Sequence, residues 1–149
     1  MGQTDNDSLK LSNQLCFPLY AAARKVISLY TPHFKELGIT YTQYLVFMAL
    51  WENNPMTVRE LCRILYLDSG TLTPLLKKLE REGYLIKSRD PDDERVVVVS
   101  LTDKGTDLRE KVSHIPRSVS KCVPLSQDEA AALYMLLYKL LSEGEISDS

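Results

Sequence analysis

The stretch from Thr57 to Leu79 constrains this chain most, because two helix start signals follow one another there with only a short helix between them. Thr57-Val58-Arg59-Glu60 is a capping box. The threonine hydroxyl can accept the third helical N–H while the glutamate reaches back to the threonine N–H. Behind it, Val58, Leu61, Cys62 and Leu65 fall at i, i+3, i+4 and i+7, which predicts a short helix with one apolar face. A turn over Tyr66 to Asp68 follows. Asp68 can cap a second helix in which Leu72, Leu75, Leu76 and Leu79 form the inner stripe, with Thr73, Lys77 and Arg81 stacked opposite. Two short helices joined by a tight turn are the outline of a helix-turn-helix.

The flanking sequence builds outward from this pair. Gly83 ends the second helix, and Tyr84 to Ser88, a charged turn from Arg89 to Arg95 and the β-branched run Val96 to Leu101 predict a hairpin that would form a wing. Upstream, Ser12 can cap a helix running to about Leu29, with Leu15, Leu19, Ala22, Val26 and Leu29 near one stripe. Pro32 and Gly38 bracket a short segment, and Thr40-Tyr41-Thr42-Gln43 is another capping box, for an apolar helix ending near Glu52 before Asn53-Asn54-Pro55. Downstream, Thr102 caps a helix towards Ile115, Pro116 interrupts it, and Ser126-Gln127-Asp128-Glu129 opens a last helix containing Leu133, Leu136, Leu137 and Leu140. Pro74 is discordant. Inside a helix it removes a backbone donor, so the regular helix is expected to start later than Asp68 suggests. The fold class expected is mainly α with a small β wing, a single winged helix-turn-helix domain over 1–149. The terminal helices carry apolar faces with no evident partner inside the small helix-turn-helix unit.

A chain of 149 residues with 44% hydrophobic and 26% charged residues supports one well-formed core. Its net charge of -2 excludes coating of nucleic acid by bulk charge, so any such contact must be local. One basic patch exists. From Thr71 to Arg89, Lys77, Lys78, Arg81, Lys87 and Arg89 stand against Glu80 and Glu82, a local net of +3. Ser69, Thr71 and Thr73 put short hydroxyls near a helix N-terminus, where they and the backbone N–H groups can reach phosphates or base edges. The same charges also suit an ordinary solvated helix face, with Asp68, Ser69 and Thr71 acting only as caps.

The polar, acidic segment Met1 to Ser8 does not resemble a secretory signal, and the uncharged stretch Gly38 to Trp51 carries Thr40, Thr42 and Gln43 and is shorter than a membrane span. A cytoplasmic protein with no membrane partner is expected. Three scattered cysteines, Cys16, Cys62 and Cys122, do not form a disulfide framework. Cys62 shares the inner face of its helix, so burial accounts for it. Cys16 lies near a helix start, where partial positive charge can lower a thiol pKa from its usual ~8.5, more so if Pro18 marks the first turn. It is equally a small hydrophobe among Leu15, Phe17 and Leu19. Cys122 lies in the polar stretch Arg117 to Pro124, where no apolar period requires it. His33 and His114 are isolated in sequence, so no metal site and no cofactor are expected.

Three segments taken together resemble a known family. They are Gln14-Leu15-Cys16-Phe17, the run Leu67-Asp68-Ser69-Gly70-Thr71-Leu72-Thr73-Pro74 through Glu80, and Asp92-Asp93-Glu94-Arg95 before Val96. The chain resembles the organic-hydroperoxide-sensing, OhrR-like branch of the MarR family over roughly Leu9 to Leu141. The resemblance implies a homodimer built from helices at about 9–37 and 102–143, with a DNA-binding winged helix at about 57–101 in each subunit. The partner would be double-stranded operator DNA. Ser69, Thr71, Thr73, Lys77, Lys78 and Arg89 would serve the DNA contact, and Arg95, oriented by Asp93, would enter the minor groove. The resemblance further implies that Cys16 is oxidised by organic peroxide, supported by the hydroxyls of Tyr30 and Tyr41, and that the operator is then released. As some family members carry a second cysteine near the position of Cys122, the resemblance implies an intersubunit disulfide between Cys16 and Cys122, with a small thiol as the alternative cap. Two rivals stand: a MarR repressor released by a small ligand with Cys16 incidental, and a thiol peroxidase, for which the alternating strands and helices are missing.

Overall fold

The computed structural model describes residues 7–142; expectations falling on residues 1–6 and 143–149 lie outside the described residues. In chain order the helices are α1 (Cys16–Ser28), α2 (Thr31–Leu37), α3 (Tyr41–Glu52), α4 (Val58–Leu65), α5 (Ser69–Arg81), α6 (Asp103–Val112), α7 (Ile115–Ser120) and α8 (Gln127–Ser142). Three strands, β1 (Met56–Thr57), β2 (Leu85–Arg89) and β3 (Val97–Leu101), pair antiparallel in the order β1-β3-β2. Met56 lies opposite Val99, and Leu85 opposite Leu101. This is a helix-turn-helix followed by a wing.

The start signals act through the bonds expected of them. Thr40 and Gln43, and Thr57 and Glu60, form reciprocal capping boxes. Ser126 and Glu129 do the same. Thr102 accepts the Gly105 N–H, and Asp68 accepts the Thr71 N–H at 2.7 Å. At the other end of α5, Gly83 takes φ 82° while the Tyr84 N–H returns to the Leu79 carbonyl, closing a Schellman turn.

Two expectations fail. Ser12 does not cap α1: it lies in a 3-10 turn over Leu11–Asn13, and α1 begins at Cys16. Pro18 explains the later start, because its missing N–H costs nothing in a first turn, where donors have no helical partner anyway. Pro74, conversely, does not delay α5, which runs regularly from its Asp68 cap. The bond it forfeits would have gone to the carbonyl of Gly70, an exposed residue whose carbonyl water can serve.

The core gathers Leu61 from α4, Leu72, Leu76 and Leu79 from α5, Leu85 and Val99 from the sheet, and Val46, Phe47 and Leu50 from α3. Phe34 of α2 and Leu108, Val112, Ile115 and Val119 of α6 and α7 extend it. Neither α1 nor α8 buries any residue in this core. Their apolar side chains, among them Phe17, Leu19, Leu133, Leu136 and Leu140, lie exposed on the single chain. That is a surface in search of cover.

The seam joining α6 to the wing rests on Gly105. A Cβ there would overlap the Tyr84 carbonyl oxygen and lie 3.0 Å from Leu101. Around it, Thr102 donates to the Gly83 carbonyl at 2.6 Å and Lys104 to the Glu82 carbonyl at 2.7 Å. Gly105→Ala is therefore expected to cost about 1–3 kcal/mol of stability through overpacking, read as a lower midpoint in urea or thermal unfolding. An unchanged midpoint would show that the seam can open without penalty.

Candidate nucleic-acid interface and thiol sites

Burying Leu72, Leu76 and Leu79 of α5 forces the rest of that helix outward. Lys77, Thr73 and Ser69 then lie along its wing side and face a groove of about 1320 Å³ between the helix pair and the hairpin. Lys87, Ser88, Arg89, Asp93 and Arg95 line the opposite wall, and Arg59 of α4 lines the floor. Thr71 and Lys78, two helical turns apart, are exposed but do not line the groove; they occupy the far flank of α5. Of the sequence-derived candidates, the structure thus brings together Ser69, Thr73, Lys77, Arg89, Asp93 and Arg95. Sequence reasoning missed Arg59. Its position just inside a capping box, beside apolar Val58, was the available signal.

Five cations, Arg59, Lys77, Lys87, Arg89 and Arg95, line the groove against three carboxylates, Glu60, Asp68 and Asp93, each held ionised by hydrogen bonds. Glu60 is held below the usual carboxylate range by the Thr57 N–H, then by the Thr57 hydroxyl. Asp68 is lowered first by the Thr71 N–H. Asp93 is lowered first by the Arg95 side chain, which donates through Nε to Oδ1 at 3.1 Å and through Nη2 to Oδ2 at 3.2 Å. Arg95 is otherwise 90% exposed, so a fork from Asp93 aims a solvated guanidinium beyond the wing tip. The turn beneath is fixed: Asp90 Oδ1 accepts the N–H groups of Asp92 and Asp93. Lys87 is tied back to α5, its N–H donating to Glu80 at 2.8 Å.

Cys16 is the first residue of α1 and is exposed. Cys122 is also exposed, in the turn after α7, where its N–H donates to the Val119 carbonyl. Cys62 is half-buried; it packs against the core and also edges the groove. Among the described residues of the single chain, no hydrogen bond reaches the Cys16 thiol. Tyr30 and Tyr41 pack on each other with ring centroids 5.0 Å apart, and Tyr44 and Phe34 join them. Burial pushes the Tyr30 phenol above its ordinary pKa, and burial followed by the neighbouring Tyr30 does the same for Tyr41. Both therefore stay protonated donors through neutral pH. His33 and His114 are not isolated as the sequence suggested: α2 brings their rings edge-on at 6.0 Å. Among the described residues, no group of three or more His, Cys, Asp or Glu could hold a metal ion. No helix there is long and apolar enough to cross a membrane.

Residues 28–112 match the family model described as transcriptional regulator SarA/Rot. The organic hydroperoxide resistance transcriptional regulator of Bacillus subtilis (strain 168) is 44% identical over 135 residues, 91% of this chain and 92% of the relative. Two solved forms of AbfR, a protein of Staphylococcus epidermidis, are similar in structure. Reduced AbfR bound to DNA aligns at a TM-score of 0.76 and 38% identity, covering 92% of this chain and 95% of that one. Disulfide-formed AbfR aligns at 0.63 and 36%, covering 95% and 99%.

The tyrosine cluster makes a pH-dependent contribution with a definite sign. A phenol whose folded pKa is raised above its unfolded value, near 10.0, supports the fold fully below that value. The support is lost as pH rises through the folded pKa. Stability is accordingly expected to fall as pH rises beyond the ordinary phenol range, and to fall less steeply in Tyr30→Phe and Tyr41→Phe. Urea unfolding across alkaline pH checks this, and equal slopes in all three proteins would contradict it.

Proposed function

The chain belongs to the MarR-type family of transcriptional regulators, in its organic-hydroperoxide-sensing branch, and from that premise we propose that it is a dimeric, redox-sensing DNA-binding repressor switched through Cys16. We read 1–149 as one such domain, with about 57–101 addressing DNA and about 9–37 and 102–143 forming the dimer. The observation that carries the reading is the place of Cys16: an exposed thiol at the first residue of a helix whose apolar face has no cover within the chain.

The parts then divide the work by their chemistry. Two-fold-related reading heads engage half-sites of double-stranded operator DNA about one helical turn apart, so a dimer fused through α1 and α8 covers the apolar faces and sets the spacing together. Ser69, Thr73, Lys77 and Arg89 face the duplex from the groove, Thr71 and Lys78 serve phosphates on the other flank of α5, and Arg95, steadied by Asp93, enters the minor groove. The relatives are regulators, and this chain acts in the cytoplasm as a regulator and not as an enzyme, consuming peroxide stoichiometrically.

Oxidation proceeds in two steps. The Cys16 thiolate attacks one oxygen of an organic hydroperoxide, the O–O bond breaks, the alkoxide leaves and is protonated to the alcohol, and the sulfur becomes a sulfenic acid. Tyr30 and Tyr41, held protonated, donate hydrogen bonds to the thiolate and the peroxide across the dimer. The thiol of Cys122 of the partner subunit then attacks that sulfur; the S–S bond forms and water leaves. Closure requires Cα atoms within about 7 Å, so helices that start farther apart must move, and the reading heads lose half-site register. Exposure of Cys122 in a turn with no packing duty supports this role, as does the disulfide form of AbfR.

The proposal is tested with an operator fragment selected from random DNA by the reduced protein. Cys16→Ser is expected to bind as wild type and to hold the operator through organic hydroperoxide treatment; release by this variant would overturn the redox reading in favour of a small ligand. Non-reducing electrophoresis after peroxide, with no small thiol present, is expected to show a covalent dimer that Cys122→Ser loses. Monomeric wild type retaining a free Cys122 thiol would assign resolution to a small cellular thiol. In the same assay Arg95→Ala is expected to weaken operator binding by on the order of 1–3 kcal/mol without lowering Tm, and unchanged affinity would remove Arg95 from the interface.

A further inference from the structure

One contact chain runs from the tyrosine cluster to the base of the wing. α3 presents Tyr41, Tyr44, Phe47 and Trp51 along one side, at helical spacing. Tyr30 packs on Tyr41 at 5.0 Å and on Tyr44 at 5.9 Å. Tyr44 meets Trp51 edge-on at 6.4 Å, and Trp51 stacks on Phe47 at 5.6 Å and 16°. Phe47 in turn meets Tyr84 at 5.3 Å, one residue before β2. Tyr44 is 3% exposed and Phe47 fully buried.

Trp51 adds a polar tie to this packing. Its Nε1–H donates to the Gly105 carbonyl at 3.0 Å, 54 residues away in sequence. Gly105 is the residue pressed against the Tyr84 carbonyl, and its neighbours Thr102 and Lys104 hold the carbonyls of Gly83 and Glu82 at the end of α5. Lys104 also lies 4.3 Å over the Tyr84 ring. The indole therefore ties α3, which carries the tyrosines, to the corner where the recognition helix ends and the wing begins. Close-packed interiors pass on displacements that a loose contact would absorb.

Resting on the redox reading above, we propose that Trp51 is the positioning residue that couples the Tyr30–Tyr41–Tyr44 cluster to the reading head through its hydrogen bond to Gly105. When oxidation of Cys16 disturbs the tyrosines, α3 shifts Trp51, and Trp51 carries Gly105, Tyr84 and the wing base with it. Its role lies in the response to oxidation and not in the reduced protein's grip on DNA.

The chain holds a single tryptophan, which allows a clean test. Trp51→Phe keeps a ring on Phe47 and removes the donor. Replacement of tryptophan by benzothienylalanine, an isostere with sulfur in place of N–H, removes the donor alone and serves if the phenylalanine variant unfolds. Both are compared with wild type for the rate of Cys16 oxidation by cumene hydroperoxide and for operator affinity before and after full oxidation. The expected result is a wild-type oxidation rate, near wild-type affinity when reduced, and a loss of affinity on oxidation smaller than wild type by about fivefold or more, the scale of a coupling between sites. The same loss as wild type would overturn the proposal, and so would a large drop in the reduced protein's affinity with the response intact. A wild type that keeps its operator with Cys16 fully oxidised would instead remove the switch itself, and this inference with it.

Discussion

The burial of one leucine stripe, Leu72, Leu76 and Leu79 of α5, against Leu61, Leu85 and Val99 is the interaction on which the rest depends. Each of these side chains contributes about 1.5–3 kcal/mol by leaving water, so a rotation of α5 about its axis forfeits several at once. With that face fixed inward, Ser69, Thr73 and Lys77 can only border the groove, and the strands following Gly83 can only rise beside it. Affinity for DNA is thus a by-product of packing: the core chooses which charges the solvent sees. The acidic whole chain is no obstacle, since five cations line the groove against three carboxylates.

Much of this was legible in the sequence, because the devices are local. A capping box states its own bonds, and Thr40, Thr57 and Ser126 each form theirs. Asp68, Gly83 and Thr102 likewise act within a few residues of themselves. Where reading failed, the deciding partner lay elsewhere or the competing signal was weaker than it looked. Ser12 had the chemistry of a cap, but Pro18 fixed the first turn later. Pro74 counted against a helix, yet its lost bond falls on an exposed face. Strand β1 spans two residues and exists only because Val98 and Val99 come to pair with it. The contacts of His33 with His114 and of Trp51 with Gly105 are tertiary and leave no periodic trace.

The site was legible to a different degree. Its basic wall and Asp93–Arg95 pair follow from charge spacing and family likeness. The division between groove-facing Ser69 and Thr73 and far-flank Thr71 and Lys78 needed the orientation of α5, and Arg59 needed the fold to bring α4 under the wing. Cys16, Tyr30 and Tyr41 do not meet within one chain. On the proposed reading the second subunit is therefore a chemical participant as well as a scaffold, which would join the uncovered faces of α1 and α8 and the thiol in one account.

The central claim is that a single chemical event on Cys16 governs operator affinity. It is tested most directly by titrating the reduced protein with organic hydroperoxide and dividing each sample between intact-mass analysis with peptide mapping and operator binding at fixed salt. The account predicts that the bound fraction falls in proportion to Cys16 modified, and that reduction of the modified sulfur restores it. Release with Cys16 unmodified, or full modification of Cys16 with affinity unchanged, would contradict it.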